Sequence, residues 1–133
     1  MKRLFLLFTF LTSSLFAQEG FVMFNMNKVE FENTGKAFAI VDEFMSPTWD
    51  ALVDEGMISS YEVFTHAWGD SYNLCFLIKA ESHEAFLKAW NEGIKRMRDN
   101  VPDEKWNEYA SYVIEHKDNL YSLRHHYDSN SKK

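Results

Sequence analysis

Residues 57–80 read MISSYEVFTHAWGDSYNLCFLIKA. Met57 to Trp68 and Tyr72 to Ala80 are rich in β-branched and aromatic residues, and Gly69-Asp70-Ser71 between them has the composition of a turn. The spacing predicts two strands paired as a hairpin. Upstream, Ala37, Ile40, Val41, Phe44, Met45, Trp49, Leu52 and Val53 recur at helical intervals over residues 36–55. Pro47 interrupts that pattern; it suits the first turn of a second helical piece with Ser46 as N-cap, so a kink or break is expected near Ser46 and a stop at Gly56. Further upstream, Phe21 to Val29 (FVMFNMNKV) reads as a strand.

Downstream of the hairpin, Ser82 can cap a helix whose apolar stripe runs through Phe86, Leu87, Trp90, Ile94 and Met97. Val101-Pro102-Asp103 interrupts it, with Asp103 as the cap of a further helix carrying Trp106, Tyr109, Ala110, Val113 and Ile114 on one side. Asn119 to Tyr127 reads as the last strand. The order strand, helix, strand, strand, helix, strand is that of an α+β, ferredoxin-like βαββαβ domain with a four-stranded antiparallel sheet. Right-handed crossovers then place both helical layers on one face of that sheet.

The N-terminus is of another kind. Lys2 and Arg3 precede an apolar run from Leu4 to Leu11, and Leu15-Phe16-Ala17 precedes Gln18. A charged start, a short apolar core and a small residue before a polar one define a secretory signal peptide over residues 1–17, cleaved near Ala17. A secreted or periplasmic location follows as the expectation, with a single domain over residues 18–128 and a polar tail over residues 129–133. Without the signal, 12 basic residues face 20 acidic ones, a formal charge of −8. That balance argues against nucleic acid and against an anionic membrane surface as partners. Eight Phe, six Tyr and four Trp remain among 116 residues, enough large side chains for a core without staples. Cys75, the single cysteine, can form no intrachain disulfide and suits a buried position.

Alternation splits each strand into two sides. Val22, Phe24 and Met26 oppose Phe21, Met23, Asn25 and Asn27; Tyr61, Val63 and Thr65 oppose Glu62, Phe64, His66 and Trp68; Leu74, Phe76 and Ile78 oppose Asn73, Cys75, Leu77 and Lys79. One side is apolar enough to lie under helices, and the other is still not a solvated surface. A second copy is the expected cover for it, through a two-fold interface. This pattern, with Trp49-Asp50-Ala51-Leu52-Val53-Asp54-Glu55-Gly56 running into the strand Met57 to Val63, resembles the dimeric α/β-barrel superfamily over roughly Phe21 to Tyr127. The resemblance implies two sheets facing each other in a homodimer. Members of that superfamily include cofactor-independent oxygenases, haem-binding and haem-degrading enzymes, lactone isomerases and proteins without an assigned reaction.

The residues offer two functional readings. In the first, the protein binds a small apolar or aromatic ligand without an assigned reaction, with Glu62, Phe64, Trp68, Asn73 and Trp90 as candidate ligand contacts. In the second, it is a cofactor-independent monooxygenase or isomerase: His66, beside Phe64 and Trp68 and near Glu62, acts as general base, and Asn25, expected with Asn73 on the same side, orients the substrate. Each has a structural counterpart: His66 bonded at a strand end, the amides satisfying each other, and Trp49, Trp90 and Trp106 packing as core. His125 and His126 point to opposite faces of any strand, and His83 and His116 lack ligand spacing, so no metal site and no cofactor are expected. The acidic set Asp42, Glu43, Asp50, Asp54 and Glu55 reads as a solvated helix face.

Overall fold

The computed structural model describes residues 20–66, 68 and 71–125. The expected signal peptide, the tail, His126 and part of the hairpin turn lie outside the described residues. Strand β1 (Phe21–Val29) leads through a 3₁₀ turn at Phe31–Asn33 into helix α1 (Thr34–Ile40) and helix α2 (Ser46–Asp54). The hairpin strands are β2 (Ser60–Thr65) and β3 (Leu74–Ala80), followed by helices α3 (His83–Asn100) and α4 (Asp103–Tyr112) and strand β4 (Val113–Ser122). The sheet is antiparallel throughout, in the order β2-β3-β1-β4. This is the expected α+β ferredoxin-like fold.

The helical stretch ahead of the hairpin does not break at Ser46. It continues through a widened turn, Val41–Met45, in which the Ser46 N–H donates to the Val41 carbonyl, five residues back. Ser46 has helical dihedrals (φ −55°, ψ −41°) and forms no side-chain cap. Pro47 brings no N–H to the ladder, and the wide turn before it absorbs that loss without interrupting the helix. Gly56 ends α2 as expected, at φ +71°: its N–H donates to Val53 O and that of Met57 to Leu52 O, both at 2.9 Å. This double closure needs a left-handed residue, which glycine supplies without a Cβ clash. Ser82 caps α3, its Oγ accepting from the Ala85 N–H at 3.1 Å. Asp103 is not a cap; it is the first helical residue of α4, after Pro102.

The main correction concerns β4. Val113 and Ile114 belong to the strand, which begins six residues before Asn119, directly after Tyr112. Their spacing continues the α4 stripe, but two adjacent β-branched residues favour extended backbone, and pairing with β1 settles the outcome. Lys28 faces Glu115 whereas Val29 faces Val113, so Ile114 is the extra residue of a bulge. The hairpin strand β2 is also shorter than expected: Met57 and Ile58 close the end of α2, and Trp68 lies beyond the strand.

One core occupies the helical side. Met23, Val29, Leu74, Ile78 and Ala80 of the sheet pack with Ile40, Val41, Met45, Trp49 and Leu52, and with Phe86, Ala89 and Met97 of α3. Gly93 lets α3 approach α2 closely, since a Cβ there would stand 2.7 Å from Trp49 Cη2. On the opposite side, Phe24 stacks on Phe64 with centroids 6.0 Å apart, among half-buried Val22, Met26 and Leu77. Ion pairs Lys79–Glu62 (3.3 Å) and Lys117–Glu115 (3.4 Å) border this apolar area. Among the described residues no helix covers it.

Candidate functional site

Between the sheet and its helices lies a cavity of about 410 Å³. Its floor is Met23, Phe76 and Ile78; Met45, Trp49, Trp90, Ile94 and Met97 form the opposite wall. Trp106, Tyr109 and Ala110 of α4 and Val113 of β4 close one side. The aromatic lining is ordered by its own stacking: Trp49 lies against Tyr61 at 5.9 Å and Trp90 at 5.6 Å, and Tyr61 against Phe76 at 6.2 Å. Volume and composition match those of sites for small organic molecules.

Polar groups enter this cavity at one end, from the two strands β1 and β4. Asn25 stands opposite Asp118, and Asn27 opposite His116. Asn27 Nδ2 donates to Asn25 Oδ1, Asn25 Nδ2 donates to Asp118 Oδ1 at 2.6 Å, and His116 Nε2 lies 3.1 Å from Asp118 Oδ2. Asn27, only 4% exposed, also donates to the Leu74 carbonyl at 3.3 Å, which anchors the chain of bonds in the core. The bulge at Ile114 is what allows Val113 and His116, three residues apart, to line the same cavity; in an unbulged strand they would face opposite sides.

The expected site residues are not brought together. Asn25 and Trp90 line the cavity, but His66, Glu62, Phe64 and Trp68 do not. Glu62 pairs with Lys79 and Phe64 stacks on Phe24, both on the uncovered face. His66 is exposed just past the end of β2, its N–H donating to the Asn73 carbonyl, and Trp68 is 92% exposed. The expectation that Asn25 shares a side with His66 is therefore corrected. Asn73 serves the fold: its side chain accepts from Val29 N–H at 2.8 Å, donates to Val29 O at 2.7 Å, and reaches Thr34 Oγ1 at 3.3 Å. Sequence reasoning missed His116 and Asp118. Two residues apart on a strand, they share a face, but that signal exists only once the strand is known to begin at Val113.

Burial raises the Tyr61 and Tyr109 phenols well above the usual tyrosine value of 10.0. The unfolded chain releases these protons as pH rises past about 10, whereas the folded chain retains them. Unfolding then releases protons, so stability is unaffected below that pH and falls above it. The expected loss is about 1.4 kcal/mol per tyrosine for each further pH unit. Urea unfolding midpoints on either side of the transition measure it; Tyr61→Phe should flatten the slope.

No protein-family model and no curated protein matches the sequence. Solved structures do match, and they define the class: small α+β proteins of ferredoxin-like fold. A dimeric ferredoxin-like protein from an uncultured marine organism superposes with TM-score 0.65 at 10% identity, over 82% of this chain and 90% of its own. A NIPSNAP family protein from Agrobacterium tumefaciens gives 0.61 at 8% identity, over 79% and 86%. A candidate antibiotic biosynthesis monooxygenase from Nitrosomonas europaea gives 0.56 at 12% identity, over 80% and 92%. At such identities the likeness is one of fold.

Proposed function

We propose that this protein is an exported homodimer whose helix–sheet cavity binds a small apolar or aromatic molecule. The observation that carries the reading is the cavity itself, about 410 Å³, aromatic on most sides, with its amide, imidazole and carboxylate groups gathered at the β1–β4 end. Export is supported by the sequence Lys2 to Ala17. The two-fold assembly is supported by the apolar face without a helical cover, and by similar structures described as dimeric. Catalysis at His66 has no geometric support, because that residue does not line the cavity. An enzymatic reading is favoured instead by the His116–Asp118 pair at the cavity's polar end.

Trp49, Trp90 and Trp106 line the cavity and report on its contents. Titration with nitrobenzene, a small aromatic quencher, should give saturable quenching of tryptophan fluorescence. Ala110→Trp, at an exposed lining position, should fill the mouth and abolish the saturable phase. A purely collisional, non-saturating response from the unaltered protein would refute ligand binding.

A further inference from the structure

We infer that His116 Nδ1 is a general base which takes the proton of an acidic hydroxyl on an aromatic ligand seated in the cavity. This rests on the ligand-binding reading above. The direction of every bond in the polar chain is fixed by chemistry. Asp118 can only accept as a carboxylate, so the 3.1 Å contact places a proton on His116 Nε2, and in the neutral imidazole the lone pair is then on Nδ1. Asp118 is itself held, Oδ1 by Asn25, which Asn27 holds in turn. A carboxylate that fixes the tautomer of an imidazole and stabilises the imidazolium is the arrangement general-base catalysis uses. Asp118, Asn25 and Asn27 are positioning residues for that base.

The surroundings select the ligand class. No Lys or Arg lines the cavity among the described residues, so a carboxylate ligand would meet Asp118 without a cation. The other titratable lining groups are Asp118 on β4, Tyr109 on α4 and Tyr61 on β2, both phenols already held protonated by burial. Lys117 and Glu115 pair with each other and engage Tyr72, and none of the three lines the cavity. A neutral aromatic body with one proton donor at the β4 end satisfies both parts of the site. In the transfer the hydroxyl O–H bond breaks, the oxygen keeps the electron pair as an oxyanion, and the proton forms the N–H bond of an imidazolium between that oxyanion and Asp118.

The test compares 4-nitrophenol with its methyl ether, 4-nitroanisole, on the purified protein. The phenol should bind about tenfold more tightly, the scale of one charge-assisted hydrogen bond. Bound nitrophenol should show its phenolate absorption at a pH where the free compound in the same buffer is mostly protonated. His116→Ala should bind the two compounds equally and lose the phenolate band. Retained 4-nitroanisole binding in that variant shows the fold intact. Asp118→Asn, whose amide can donate to the ring and reverse the tautomer, should weaken the preference without affecting the ether. Equal binding of both compounds by the unaltered protein, or an unchanged preference in His116→Ala, overturns the base. If neither compound saturates the protein, the ligand-binding reading falls and takes this inference with it.

Discussion

Phe24→Glu should turn the proposed dimer into monomers without unfolding the protomer. Phe24 stacks on Phe64 near the middle of the sheet face that has no helical cover, and it is only half-buried within one chain. In a two-fold assembly through that face, each substitution places a carboxylate in an apolar centre, and symmetry supplies a second one opposite. Two of the lysines on that face, Lys79 and Lys117, are already paired to Glu62 and Glu115. Burying an unpaired charge costs several kcal/mol, so the dissociation constant should rise by at least about a hundredfold. Sedimentation at micromolar concentration measures this directly. A protein that sediments as a monomer before any substitution would refute the assembly itself.

Trp49→Ala should cost about 3–5 kcal/mol of stability, the range for removing a large aromatic residue from a core. Trp49 is 5% exposed and packs at once against Tyr61, Trp90 and Gly93, so little of the space it leaves can be refilled. The urea midpoint should fall with an unchanged slope. The same variant removes the ring that forbids a side chain at residue 93. Gly93→Ala alone should destabilise by about 1–3 kcal/mol through overpacking, whereas in the Trp49→Ala background it should be neutral or stabilising, since alanine is the better helix former. That sign reversal in a double-mutant cycle would show that the two positions act as one contact. Additive effects would exclude it.

The split within each strand was legible because alternation depends on nothing outside the segment: Met23 and Phe24 fall on opposite faces, and so do Ile78 and Leu77. Which side of one strand joins which side of the next depends on register, and there the expectation that Asn25 lies with His66 failed, since Asn25 pairs with Phe76 on the helical side. Gly56 and Ser82 were legible for a similar reason, since each performs a local backbone task. The passage from α4 to β4 was not. Tyr112 and Val113 are joined without glycine, proline or turn residue, so nothing marks the boundary, and the helical spacing of Val113 and Ile114 points the wrong way. Pairing with β1, more than eighty residues earlier in the chain, decides it. Misplacing that boundary hid the site. With Val113 to Asp118 assigned partly to a helix and partly to a connection, His116 and Asp118 had no common face, and Asn25 was left to be matched with His66.

The wide turn at Val41–Met45 bears on how the chain can change in length. It holds more backbone than a regular helical path requires. Losing one amino acid there lets the coil tighten to ordinary pitch while both flanks keep their aim. The same loss within Ser46–Asp54 would swing everything beyond it by about 100° and carry Trp49 off its seat. Insertions and deletions in natural variants should therefore gather at this turn, the one part of the helical run where chain length can vary without disturbing the aromatic wall.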